Sequence, residues 1–245
     1  MKKEEGTATV VGFVLILTAA LAAAVLFAAV VLPAEESYAK ENSVLSAKED
    51  MISFSLLLEK LKAHPETPVS YLPVFKSDAA VTLQQSGEIS IGGHKIPLSK
   101  LSFSAEDSEI QLSAGGIARS DNGNTVWLSF PKILFDGITL TFVIPEYHGE
   151  FSKGAGGTGI PVTAEYLTEK RSSQTHFTDE ESSPVPVVYS GDDIQLWNAA
   201  FHELQSKYPS LVSSPHCETG SVSIRILPQE NELTITIISP EYVIS

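Results

Sequence analysis

The 245-residue chain contains one cysteine, Cys217, and no Asn-x-Ser/Thr sequon. A single cysteine excludes a disulfide within the chain, so a domain outside the cell would depend on packing alone. The missing sequon excludes ordinary N-linked glycosylation, whereas the many serines and threonines leave O-linked sugar open. We interpret Cys217 as a small buried or half-buried side chain rather than as a reactive thiol.

Basic residues are also scarce. The chain has 16 Lys and Arg against 30 Asp and Glu, which gives a formal net charge of −14. Binding to nucleic acid requires clustered positive charge against the phosphates, so this balance argues against a nucleic-acid partner. The length beyond the N-terminal segment suffices for one domain with its own core.

Motifs that carry chemistry are absent. His202-Glu203 begins like a zinc-protease helix, but Ser206 stands where the second histidine is needed. His216-Cys217-Glu218 offers three ligand types in a row, yet adjacent residues rarely converge on one ion. No Gly-x-Ser-x-Gly elbow occurs. The sequence therefore predicts no catalytic, cofactor-binding or metal-binding residues, and a protein that is not an enzyme.

What the chain does have is a 26-residue run without charge, Thr7 to Leu32. As a helix it would extend roughly 39 Å, more than the ~30 Å hydrocarbon core of a bilayer. It could be a cleaved signal peptide, a plain membrane anchor or the assembly helix of a pilin-like protein. The run is about twice the length of a signal-peptide core and lacks a convincing A-x-A site before Pro33, which disfavours the first of these.

The short charged start, Met1 to Gly6, suits cleavage on the cytoplasmic side between Gly6 and Thr7. Lys2 and Lys3 would hold the N-terminus inside the cell and place the remaining chain outside. This predicts a single-pass protein at the cell membrane or cell surface, with residues 1–6 as leader and 7–32 as transmembrane or assembly helix.

The Lys-Lys-Glu-Glu-Gly start, the segment VVGFVLILTAALAAAVLFAAVVLP (Val10 to Pro33) and the polar helix after it resemble archaeal type IV pilin-like surface proteins. The resemblance covers about the first 60 residues well. It implies a class III signal sequence cut by a prepilin peptidase, and packing of like helices in a filament core. Bacterial pilins carry Glu five residues into the mature chain, where this sequence has Val11. The helix positions that we assign to membrane or assembly contacts are Val10, Gly12, Phe13, Leu17, Leu21, Leu26, Phe27 and Leu32.

Residues 33–63 read as an amphipathic helical extension, with a kink or new start at Pro33. Its proposed apolar stripe follows Tyr38, Leu45 and Ile52 at intervals of seven, and His64-Pro65 ends it. Val44, Met51 and Leu58 lie beside these residues, and Leu56, Leu57 and Leu61 widen the stripe.

Residues 64–245 are predicted to form a β-rich head, with short runs of alternating polarity such as Val81–Leu83 and Ile89–Ile91. Asn122-Gly123 is a strong hairpin signal before a strand at 125–130. Residues 149–185 are predicted as long surface loops with one or two short strands. An amphipathic helix is predicted at 192–207, opened by Ser190, Asp192 or Asp193, followed by a terminal hairpin of 222–226 with 233–238.

Together these features predict an α+β fold: a long hydrophobic helix, its amphipathic continuation, and a mainly antiparallel, sandwich-like head with one late helix. The expected function is that of a non-enzymatic pilin-like protein, in a filament or alone, with a role in adhesion. The membrane, a prepilin peptidase and like subunits are the expected partners. An unprocessed, single-pass anchored extracellular binding domain is the alternative.

Overall fold

The computed structural model describes residues 2–64, 69–71, 80–105, 108–154, 161–176, 184–227 and 233–245. For residues 2–16, 28, 30–37, 39–41, 43, 69–71, 105 and 176 it describes the backbone only. The chain divides into two compact units, Met1–Leu45 and Ser46–Ser245.

The first element is one helix, α1 (Lys2–Ala63), and it continues through Pro33, where we predicted a kink or a new helix. In the second unit its buried face is formed by Ala47, Met51, Phe54, Leu58 and Leu61. These positions are three or four residues apart, as an amphipathic helix requires. The predicted apolar side is right only in part. Tyr38, Leu45 and Ile52 are exposed, which contradicts the prediction. The buried face includes four residues that we placed beside them or in the same stripe: Val44, Met51, Leu58 and Leu61.

No helix in the described part of the chain is both long enough and apolar enough to cross a membrane. The predicted single-pass placement at the cell membrane is therefore wrong. Within the predicted membrane or assembly helix at 7–32, the side chains of residues 7–16, 28 and 30–32 lie outside the described ones.

The first sheet, sheet A, has six strands, in the order β1-β11-β15-β8-β7, with β9 also paired to β15. The central strand, β15, runs antiparallel to β11 and parallel to β8 and β9. The strands are β1 (Val69–Tyr71), β7 (Lys132–Phe135), β8 (Thr139–Val143), β9 (Glu146–His148), β11 (Val162–His176) and β15 (Leu233–Ile244).

The second sheet, sheet B, has nine strands, in the order β13-β14-β12-β2-β3-β4-β5-β6, with β10 also paired to β2. All of its pairs are antiparallel. The strands are β2 (Ala80–Ile91), β3 (His94–Ala105), β4 (Ser108–Ser113), β5 (Gly116–Asp121), β6 (Asn124–Ser129), β10 (Phe151–Gly154), β12 (Val185–Gly191), β13 (His216–Glu218) and β14 (Ser221–Ile226).

The predicted α+β class is wrong, because the described chain is mainly β. The runs Val81–Leu83 and Ile89–Ile91, predicted as separate strands, form one strand, β2, with a register shift between Gln85 and Gly87. Part of the region predicted as loops is the 15-residue strand β11. Residues 155–160 and 177–183 of that region lie outside the described residues.

The predicted terminal hairpin is also wrong. β14 pairs with β12 and β13 in sheet B, whereas β15 belongs to sheet A. Both strands alternate in polarity because each buries one face in the core between the sheets. By contrast, the hairpin at Asn122-Gly123 is confirmed: β5 pairs with β6, and both turn residues have positive φ.

The late helix is confirmed as α2 (Ile194–Lys207), which buries Leu196, Trp197, Phe201 and Leu204. The Trp197 ring stacks on Tyr189 of β12, with ring centroids 5.1 Å apart. The indole Nε1 of Trp127 on β6 donates a hydrogen bond to the Leu196 carbonyl oxygen at 2.6 Å. Helix α2 thus completes the core formed by both sheets.

Candidate functional site

The predicted processing residues, Gly6 and Thr7, lie within α1, but their side chains fall outside the described ones, as do those of Val10, Gly12, Phe13 and Leu32. The other predicted helix positions, Leu17, Leu21, Leu26 and Phe27, each expose about half of the side chain or more. Val25 is equally exposed. These five side chains therefore form an exposed apolar surface on this part of α1.

The tripeptide His216-Cys217-Glu218 forms the short strand β13, and all three residues are exposed. The prediction that Cys217 is buried or half-buried is therefore wrong. His216 Nε2 lies 3.5 Å from Glu218 Oε1, because alternate residues of a strand share a face. Cys217 points to the opposite face, so these three residues cannot converge on one ion.

A different group of ligand-type side chains meets near the C-terminal end of β15, the central strand of sheet A. The carboxylates of Glu146 and Glu241 and the imidazole of His148 each offer an atom within 4.8 Å of the others. We call this group the Glu–His–Glu cluster. Among the described residues it is the one group of three or more such side chains close enough to share an ion.

Strand register explains the cluster. β8 and β9 pair with β15 in a single parallel register, broken only around Pro145, which has no N–H to donate. That register sets Glu146 directly beside Glu241. Glu146 and His148 are two residues apart and therefore share a face of the sheet.

Lys170 on β11 completes the arrangement from the other side of β15. It pairs in register with Ser239, which is two residues before Glu241 and so on the same face. The Lys170 ammonium forms an ion pair with Glu241 and lies 4.0 Å from Glu146 Oε1. His148 Nε2 lies 3.7 Å from Glu241 Oε1.

Two carboxylates and one lysine leave this cluster with a negative charge when His148 is neutral. Burial raises the pKa of Glu146, partly opposed by the nearby Lys170. The hydrogen bond to Glu241 raises the pKa of Lys170, which is therefore cationic at neutral pH. The Glu146 side chain is only 7% exposed, whereas that of Lys170 is 61% exposed.

Beside the cluster is a pocket of about 340 Å³, lined from sheet B by Gln85, Pro97 and Ser99 and from sheet A by Glu146 and His148. Glu150 adds a third carboxylate to its wall. Carboxylate oxygens with one imidazole nitrogen form a donor set suited to a divalent cation. The arrangement can therefore hold an ion with one side facing the pocket.

Sequence reasoning missed this cluster because Glu241 lies 95 positions after Glu146 in the chain. The motif Glu146-x-His148 by itself indicates two possible metal ligands, since residues i and i+2 of a strand share a face. The third ligand, Glu241, joins them only through the parallel pairing of β9 with β15, which the alternation of polar and apolar residues does not reveal.

Comparison with known proteins identifies the family of the chain but no activity. A family model described as "Family of unknown function (DUF7289)" matches residues 6–239. No curated protein and no solved structure matches the chain. The match spans nearly the whole sequence, so the chain belongs to this family of unknown function, DUF7289.

Proposed function

We propose that the chain is a non-enzymatic, pilin-like assembly subunit of the archaeal type, which associates with further copies of itself through the N-terminal part of α1. The observation that carries this proposal is the apolar surface of Leu17–Phe27, where Leu17, Leu21, Val25, Leu26 and Phe27 are all exposed.

Five large apolar side chains exposed within eleven residues favour association with another protein surface. Burying one large aliphatic or aromatic side chain stabilises a complex by roughly 1.5–3 kcal/mol. The five side chains together therefore offer a substantial driving force for helix packing. Ala19, Ala20, Ala22, Ala23 and Ala24 lie between them and allow helix backbones to approach closely.

A second copy of the same chain is the partner that fits best. With a net charge of −14, two copies repel each other unless an apolar contact offsets that repulsion. The N-terminal helix is the segment able to supply it. The family match begins at residue 6, so this helix belongs to the part of the chain that the family model covers.

Processing is the second part of the proposal. A prepilin peptidase would cut between Gly6 and Thr7, which would remove Lys2, Lys3 and both early glutamates and leave an uncharged N-terminal run. Intact-mass spectrometry of the full chain, co-expressed with a prepilin peptidase, tests this step. A mature chain beginning at Thr7 supports it, and one beginning at Met1 or Lys2 contradicts it.

Association is tested on the processed chain by sedimentation velocity and negative-stain electron microscopy. Leu21→Glu and Leu26→Glu should shift the protein from filaments or oligomers to monomers. Leu56→Glu is the matched control, because Leu56 is a similarly exposed leucine of α1 in the second unit. Monomeric wild-type protein, or equal effects of all three substitutions, would contradict the assignment of Leu17–Phe27 as the contact.

A further inference from the structure

We propose that the Glu–His–Glu cluster is a binding site for a divalent first-row transition-metal ion, with Zn²⁺ as the best-matched probe, and that Lys170 acts as an internal counter-cation which the metal displaces. The proposal is independent of the assembly function, since it concerns only residues of the second unit.

Geometry is the first argument. Zn²⁺ binds nitrogen and oxygen at about 2.0–2.2 Å, which places neighbouring ligand atoms of a tetrahedral site roughly 3.4 Å apart. His148 Nε2 and Glu241 Oε1 are already 3.7 Å apart. All three ligand atoms lie within 4.8 Å of one another. Side-chain rotation without movement of the strands can therefore bring them around one ion.

An unpaired buried hydroxyl beside the cluster is the second argument. The Glu146 side chain is buried as well, and the Lys170 ammonium lies 4.0 Å from its Oε1, beyond hydrogen-bond distance. Ser239 lies on the same face of β15 as Glu241, and its buried hydroxyl oxygen has no hydrogen-bond partner. Buried polar atoms without partners are uncommon in folded proteins. A bound ion with its water ligands would supply a partner for the Ser239 hydroxyl and a balancing charge for the buried Glu146 carboxylate.

Lys170 explains how the site is stable without a metal. Its ammonium forms an ion pair with Glu241 and partly balances the two carboxylates. Because most of the Lys170 side chain is exposed, it can swing into solvent when an ion with twice its charge arrives. Three protein ligands then leave a fourth metal position facing the pocket beside Gln85 and Ser99, where water can bind.

The donor set selects the class of ion. Two carboxylates and one imidazole suit Zn²⁺ or Mn²⁺, whereas Ca²⁺ takes six to eight oxygen ligands. No thiolate is available in the cluster to favour Cu⁺. Ca²⁺ and Mg²⁺ therefore serve as the negative probes.

Isothermal titration calorimetry of the metal-stripped, full-length chain with ZnCl₂ tests the proposal, with thermal unfolding as a second readout. We expect one Zn²⁺ per chain and an unfolding temperature that rises with Zn²⁺ concentration, because the ligand binds the folded state. Ca²⁺ and Mg²⁺ should produce neither effect. The absence of stoichiometric Zn²⁺ binding would overturn the proposal.

Substitutions localise the ion. Glu241→Gln and His148→Ala should each weaken Zn²⁺ binding at least about tenfold, because even the loss of an outer-shell partner of a metal ligand costs about that much. Lys170→Met should act in the opposite direction and tighten binding, because it removes the competing cation. Opposite effects at Lys170 and Glu241 cannot result from a general loss of structure.

The matched control is the exposed pair on β13, where His216 Nε2 lies 3.5 Å from Glu218 Oε1. The double variant His216→Ala/Glu218→Gln should leave Zn²⁺ affinity unchanged. If this control abolishes binding while Glu241→Gln does not, the ion binds adventitiously at the surface and the proposed site is wrong. Circular dichroism of each variant confirms that the fold is retained.

Discussion

The Tyr242 hydroxyl of β15 donates a hydrogen bond to the Leu58 carbonyl oxygen of α1 at 3.2 Å. This bond joins the C-terminal part of α1 to the face of sheet A opposite the Glu–His–Glu cluster, because Tyr242 and Glu241 are adjacent on a strand and point to opposite faces. The Tyr242 ring also contacts those of Tyr147 and Tyr166. An ion pair between Lys62 and Glu169 lies on the same face.

Tyr242→Phe should lower the free energy of unfolding by about 1 kcal/mol, the usual net contribution of one buried hydrogen bond. The ring and its aromatic contacts remain, so the loss reports on the hydroxyl alone. Urea denaturation measures it. Tyr166→Phe is the matched control, since the Tyr166 ring also contacts the Tyr242 ring and its hydroxyl makes no hydrogen bond to Leu58. Equal losses in the two variants would mean that the Leu58 contact contributes nothing specific.

Gly191→Ala should destabilise the protein by about 3 kcal/mol or more. Gly191 at the end of β12 faces Gly87 of β2 in register and has φ +156°. A Cβ at this position would overlap the Ser86 carbonyl oxygen, a backbone atom that cannot rotate away. Thermal unfolding measures the loss.

Gly220→Ala controls for the effect of positive φ alone. Gly220 has φ +85°, and a Cβ there would meet no atom within 4 Å. We expect this variant to lose only about 1–2 kcal/mol, the cost of a left-handed backbone for alanine. A loss at Gly191 no larger than at Gly220 would argue against the close approach of β2 and β12.

Sequence patterns do not reveal contacts such as those of Tyr242 and Gly191, but they do locate several elements of the fold. The apolar spacing predicted α2, and Asn122-Gly123 predicted the hairpin of β5 and β6, because both depend on local chemistry. The alternation around Val222–Ile226 and Leu233–Ile238 predicted strands, and strands are present.

Sequence patterns do not reveal which strands pair with one another. Alternation indicates that one face of a strand is buried. Both sheets bury a face in the same core, so alternation alone predicts one hairpin of β14 and β15, which in fact lie in two sheets. The same limit hid the Glu–His–Glu cluster, which depends on the parallel pairing of Glu146 with Glu241. In α1 the heptad spacing was right, but Tyr38, Leu45 and Ile52 fit it as well as the buried stripe does.

Trp127→Phe should lower the free energy of unfolding by about 1 kcal/mol through loss of the hydrogen bond from Nε1 to the Leu196 carbonyl oxygen. Trp197→Phe should cost more, about 2 kcal/mol, because it leaves a cavity beneath the stacked Tyr189 ring. These are the only tryptophans in the chain, so their intrinsic fluorescence in urea reports directly on the packing of α2 against β6 and β12. A larger loss for Trp127→Phe would contradict this ranking.

Asp193 gives a prediction about pH. It precedes α2 at the position where we predicted a helix cap, but its side chain makes no capping hydrogen bond and lies 3.5 Å from the Lys100 ammonium. Burial raises the pKa of Asp193 above the ordinary value of 3.8, although Lys100 opposes the shift. The folded state therefore holds this proton more tightly than the unfolded state does.

The sign follows from that difference in pKa. The stabilisation from protonated Asp193 is complete below pH 3.8 and is lost as the pH rises through the higher pKa of the folded state. The stability of wild type should therefore rise relative to that of Asp193→Asn as the pH falls from 7 toward 3.8, since asparagine does not titrate. Urea denaturation of both proteins across this range measures the difference. Asp192→Asn removes the neighbouring exposed carboxylate as the matched control. The prediction is contradicted if the stability difference between wild type and Asp193→Asn does not change with pH, or if Asp192→Asn gives the same change. Lys100 would then keep the Asp193 carboxylate ionised in the folded chain as firmly as water does in the unfolded chain.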